Sequence, residues 1–140
     1  MAGLRLGYCL SDDRTLLAAM AEEGPPWPVS QLAQQAGISA LQNAPDWPFL
    51  VHQQLEEERR YLSQELSRLR FHVYPSDSNF LLFQGEEGWR ERLLDRGILI
   101  RSCADFQGLG PGFYRVCVRS RGENKRLIQA IQQEREAFHG

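Results

Sequence analysis

The stretch that most limits how this chain can fold runs from Gly97 to Arg119, GILIRSCADFQGLGPGFYRVCVR. It reads as a short strand ending in Arg101, a Gly-rich turn, and a second strand carrying Arg115 and Arg119. Side chains alternate along a strand, so Phe113, Arg115, Cys117 and Arg119 fall opposite Tyr114, Val116 and Val118. Three polar or reactive groups therefore share one face. A guanidinium meets a carboxylate or phosphate through a planar fork of donors, and a strand holds such a fork more rigidly than a loop does. The stretch reads either as a site for an anionic small molecule or as an edge strand whose arginines face water.

At 140 residues the chain is long enough for one domain with a real core, or for a small domain plus part of another. A formal net charge of −2 argues against a nucleic-acid partner. No apolar run approaches the roughly 20 residues that cross a bilayer, and MAGLRLGYCL lacks the basic and apolar regions of a signal peptide. Cys9, Cys103 and Cys117 are odd in number and far apart, which suits a reducing cytoplasm rather than a disulfide framework. His52, His72 and His139 form no ligand pair at helical spacing, so no metal is expected. The expectation is a soluble cytoplasmic protein that binds neither nucleic acid nor membrane.

Taken in order, Leu4–Leu10 has strand character but no turn or cap before it, as if it joined a sheet supplied from elsewhere. Ser11 is the expected N-cap of a short helix with Leu16, Leu17 and Met20 on its apolar side, stopped by Gly24. Pro25-Pro26-Trp27-Pro28 makes a stiff turn, and Gly37 is expected to close the helix after it. A long helix should run from about Asp46 to the Arg68–Arg70 region. Val51, Leu55, Leu62, Leu66 and Leu69 form its seam, and Glu56–Arg60 its solvated face. Phe71–Tyr74 and Asn79–Gln84 then read as strands, with Trp89, Leu93 and Leu94 on a short helix ended by Gly97. Ser120 and Glu123 stand at capping-box spacing before a last helix that turns Leu127, Ile128, Ile131 and Phe138 inward. The class is α/β, with residues 45–140 an α+β domain whose small, mostly antiparallel sheet is covered by helices.

Four segments, in this order, resemble the C-terminal part of fold-type I enzymes that use pyridoxal phosphate, in the histidinol-phosphate aminotransferase and threonine-phosphate decarboxylase group. They are AGLRLGYCL, PPWPVSQLAQQA, SDSNFLLF and GILIRSCADFQGLGPGFYRVCVRSRGENKRLI. The resemblance implies that residues 1–44 are the end of a large cofactor-binding domain, and that residues 45–140 are an interdomain helix and a small C-terminal domain. It implies that Arg5 pairs with the cofactor phosphate, that Arg115 clamps the substrate α-carboxylate, and that Arg101 meets a distal phosphate. It also implies an amino-acid substrate and a homodimeric parent. The wording CADFQGLGPGFYRV leans toward the decarboxylase, with the aminotransferase as the alternative.

One departure accompanies the match. In this family the Schiff-base lysine lies several residues before GLRLGY, and the only lysine here is Lys125, far along the sequence. No catalytic residue is therefore assigned, and the chain is expected to be a C-terminal fragment that does not catalyse alone. Two other readings stay open: a non-catalytic domain that binds an anion or a partner chain, and a structural remnant.

Overall fold

A chain that buries one face of a short sheet needs helices to cover it, and residues 49–140 supply three. The computed structural model describes residues 2–43 and 46–139. Two compact units divide it, residues 1–48 and residues 49–140. The boundary expected at residues 44 and 45 lies outside the described residues.

The second unit holds most of the order. Helix α3 (Trp47–Arg68) leads into β1 (His72–Val73) and β2 (Phe80–Gln84), followed by helix α4 (Trp89–Asp95). Strands β3 (Arg101–Ser102) and β4 (Phe113–Cys117) and helix α5 (Arg121–His139) complete it. The four strands form an antiparallel sheet in the order β1-β2-β4-β3. This corrects the edge-strand reading of Arg115, because β4 is interior, with β2 on one side and β3 on the other. It also moves Arg101 from the end of its strand to the start.

Alternation does the sorting within this sheet. Leu81, Phe83, Tyr114 and Val116 point into the core, while Phe80, Leu82, Phe113 and Arg115 lie half-buried on the opposite face. Against the buried face pack Leu62 and Leu66 of α3, Trp89 and Leu93 of α4, and Leu127, Ile128 and Ile131 of α5. Phe71 and Phe83 meet edge to face with centroids 5.1 Å apart, and Phe83 lies 5.6 Å from Tyr114. The Phe138 side chain, expected on the same face of α5, lies outside the described residues. Gly112 sits at φ +87°, and a Cβ there would fall 2.6 Å from the Gly85 carbonyl oxygen. Only glycine lets the end of β2 and the start of β4 close up in this way.

Two expectations for α3 need correction. Val51 is exposed and takes no part in the core. Glu58, assigned to the solvated face, is buried, because it stands between Leu55 and Leu62 on the seam itself.

The first unit is two helices and connecting chain: α1 (Arg14–Glu23) and α2 (Gln31–Asn43), preceded by one 3₁₀ turn at Ala2–Leu4. The strand expected at Leu4–Leu10 does not form, since no ladder partner among the described residues reaches it. The N-cap of α1 is Asp13 rather than Ser11: Asp13 Oδ1 accepts from the Leu16 N–H at 3.0 Å. Ser11 caps Asp13 instead, its Oγ accepting from that N–H at 3.1 Å. Gly24 does end α1. Gly37 does not end α2 but sits inside it, where a Cβ would come within 2.5 Å of Leu6. That glycine admits a neighbouring side chain rather than terminating a helix. No helix among the described residues is long and apolar enough to cross a membrane.

Candidate functional site

Sheet register decides which arginines meet. Arg115 of β4 stands directly opposite Leu82 of β2 on one side and Arg101 of β3 on the other. Two like charges directly opposed across a ladder are unfavourable by a few tenths to about 1 kcal/mol unless something intervenes. Here Asp105 and two rings offset the repulsion. Arg101 Nη2 donates to Asp105 Oδ2 at 2.6 Å. The Arg115 guanidinium lies 4.5 Å from the Phe80 ring centre and 5.9 Å from that of Phe106, while Arg101 lies 5.5 Å from Phe106. Phe106 thus flanks both cations.

Phe80, Arg101 and Arg115 line a cleft of about 500 Å³ formed with the segment before β3, the end of β4 and the start of α5. Arg90, Arg119 and Arg126 line it as well, and Glu123 is its one carboxylate. Arg119 Nε pairs with Glu123 Oε1 at 2.7 Å. The Ser120 hydroxyl, and after it Arg119, hold the Glu123 carboxyl below its ordinary range. Cys103, buried at the base of the β3–β4 loop, has its thiol pushed up by burial, against the pull of Arg115 and Arg101. Its side chain is packed at 2% exposure.

A polar network fixes the exit of β4. The Asn124 side chain accepts from the Arg119 N–H at 3.1 Å and donates to the Arg119 carbonyl at 2.8 Å, gripping that residue's backbone from both ends. The same amide donates to Glu58 Oε2 at 2.9 Å. Arg121 Nε donates to both Glu58 oxygens, at 2.8 and 3.1 Å, with its guanidinium 4.2 Å from the Tyr61 ring centre. Neither Glu58 nor Asn124 stands out in a search for site residues. Each nevertheless left a signal, a polar residue at an apolar-stripe position: Asn124 ahead of Leu127, Ile128 and Ile131, and Glu58 ahead of Leu62.

Of the three arginines singled out in the sequence, the structure brings Arg101 and Arg115 together. Arg5 belongs to the first unit, is exposed, and adopts φ +56°. A left-handed arginine is unfavourable by about 1 kcal/mol, and such strain gathers at functional positions. Its guanidinium has no hydrogen bond or ion pair among the described residues.

A family model described as aminotransferase class I and II matches residues 1–131. The chain is 40% identical over 134 residues to threonine-phosphate decarboxylase of Salmonella typhimurium, covering 93% of this chain and 36% of that protein. It is 35% identical over 137 residues to histidinol-phosphate aminotransferase of Methanocorpusculum labreanum, covering 94% and 37%. Among solved structures it resembles histidinol-phosphate aminotransferase from Clostridium acetobutylicum, with a TM-score of 0.83 at 24% identity over 98% of this chain and 42% of that one. It also resembles L-threonine-O-3-phosphate decarboxylase from Porphyromonas gingivalis, with a TM-score of 0.78 at 24% identity over 96% and 42%. Both structural likenesses concern the fold. The chain spans a little over a third of the length of the curated relatives it matches.

Proposed function

The chain belongs to the class I and II aminotransferases, fold-type I enzymes of the histidinol-phosphate aminotransferase and threonine-phosphate decarboxylase group, and from that premise we propose that it binds the anionic groups of a phosphate-bearing amino substrate in a pyridoxal-phosphate enzyme. In this reading residues 1–44 close a large domain, and residues 45–140 are an interdomain helix and small domain within a cytoplasmic homodimer. The observation that carries the proposal is the opposed pair Arg101 and Arg115 in the wall of an arginine-lined cleft. Two adjacent planar cations match a substrate with two oxyanions, a carboxylate for Arg115 and a phosphate for Arg101.

Pyridoxal phosphate asks a protein for a cation at its phosphate, an amine for its aldehyde and an acidic partner for its ring nitrogen. Arg5, exposed and with unpartnered donors, fits the first requirement. Lys125, the only lysine, is exposed on α5 within the second unit. The residues of this chain thus fit the cofactor phosphate, and Arg5 would hold it. Where bound, the cofactor supplies the electron sink for the bond broken at the substrate Cα. The chain's own contribution is orientation: the bond that breaks is the one held perpendicular to the ring, and a carboxylate clamp at Arg115 sets that angle.

Two substrates remain in view. Transamination of histidinol phosphate is supported by relatives such as the histidinol-phosphate aminotransferases of Methanocorpusculum labreanum and Methanoculleus marisnigri. Decarboxylation of threonine phosphate is supported by the Salmonella relative. Their chemistry separates them, since threonine phosphate carries both a carboxylate and a phosphate, and histidinol phosphate carries the phosphate alone. Calorimetry on the chain should show Arg115→Ala losing at least about tenfold in affinity for O-phospho-L-threonine. A site shaped for histidinol phosphate instead loses that ligand on Arg101→Ala and keeps it on Arg115→Ala. Unchanged binding of both ligands in both variants removes the anion-site reading.

A further inference from the structure

The two arginines of the pair are not equally available. Arg115 has rings on its flanks and no carboxylate partner among the described residues. Arg101 is already engaged by Asp105, four residues on in the β3–β4 loop. That loop is held independently of the ion pair. At its base the Cys103 N–H donates to the Phe113 carbonyl at 2.8 Å, and within it the Phe106 N–H donates to the Cys103 carbonyl at 3.0 Å. Asp105 therefore stays within reach of Arg101 whether or not the two are bonded. Both side chains are more than half exposed, at 52% and 66%, so the pair opens easily.

We propose that Asp105 is a built-in competitor for Arg101 that decides which anions the pair accepts. A lone carboxylate can dock on Arg115 without disturbing Arg101. A phosphate must displace Asp105, and once docked it lies beside the freed carboxylate, which repels a dianion more than a monoanion. Asp105 acts through Arg101 and is a specificity-determining residue rather than a catalytic one. The inference rests on the reading of Arg101 and Arg115 as the anion-binding pair.

The test is calorimetry on the full chain, with O-phospho-L-threonine and L-threonine as probes. Asp105→Asn should tighten the phosphorylated probe about two- to fivefold at low salt, the scale of an exposed ion pair, and leave threonine unchanged. The gain should shrink at high salt, and Asp105→Glu should restore the original ratio of the two affinities. Equal tightening of both probes, no tightening, or no binding of the phosphorylated probe by either protein overturns the proposal. Arg115→Ala separates the two ideas. Binding lost in that variant with no Asp105→Asn effect overturns the competitor and leaves the anion pair standing. Binding kept there, with the Asp105→Asn gain intact, removes Arg115 from the pair and supports competition for Arg101 alone.

Discussion

Residues 49–140 and residues 1–48 solve the burial problem in opposite ways. The second unit encloses Phe83, Leu62, Leu66, Leu93 and Ile131 without measurable exposure. In the first unit Ala33 is the one buried apolar residue among those described, while Trp27 is 92% exposed, Tyr8 89% and Leu10 87%. Apolar side chains are as available to the first unit as to the second, so composition does not explain the contrast. What differs is closure. A sheet with one buried face and helices laid across it removes apolar surface from water from both sides. Two helices of modest length and an irregular strand of chain do not. The proposed anion pair follows the same division, because Arg101 and Arg115 sit on the unit with the enclosed core.

The contrast breaks most visibly at Phe83. Phe83→Ala should reduce the unfolding free energy of the second unit by about 3–5 kcal/mol, whereas Trp27→Ala should change it by less than about 0.5 kcal/mol. Urea titrations followed by circular dichroism measure both, and comparable losses would show that Trp27 is packed rather than exposed. Next in size is the network behind the cleft. Asn124→Ala strands the Arg119 backbone and removes one of the two donors to Glu58 Oε2, and should lower stability by about 1–3 kcal/mol. Asp13→Ala, which removes only the cap of α1, should cost about 1 kcal/mol of local helix stability, read as loss of α1 amide protection in hydrogen exchange with α5 unaltered.

The smallest effect is titratable. The Glu123 carboxyl is held below its ordinary range in the fold by the Ser120 hydroxyl and Arg119. Its contribution is therefore complete above the ordinary carboxylate range and is lost as the pH falls through the lowered value. Acid should loosen the first turn of α5 in the native protein. Glu123→Gln should flatten that dependence, and an NMR titration placing the Glu123 midpoint at an ordinary carboxylate value would discard the contact.

Elements with a strong local signature were legible in the chain itself: the long helix ending at Arg68, the Phe80–Gln84 strand, the short helix at Trp89 and the stop at Gly24. Alternation placed Arg115 on a polar face with Cys117 and Arg119, Arg101 stood out at the end of the neighbouring strand, and the family resemblance implied a role for each. Where local signals competed, the sequence misled. Gly37 carries a stop signal, but its missing side chain serves a packing contact with Leu6. Leu4–Leu10 has strand composition, yet a strand exists only as part of a ladder, and its ladder partner is not a local property.

By itself, then, the order of residues determined the second unit's helices and strands, that helices cover one side of its sheet, the two arginines and the family. Only the tertiary structure decided that Arg101 lies directly across from Arg115, that Asp105 pairs with Arg101 while Phe106 flanks both, and that Glu58 reaches across 66 positions to Asn124. The physical reason is range. Period and capping act over a few residues and are written in the sequence at that scale. Register and burial are set by all the surfaces that must close at once.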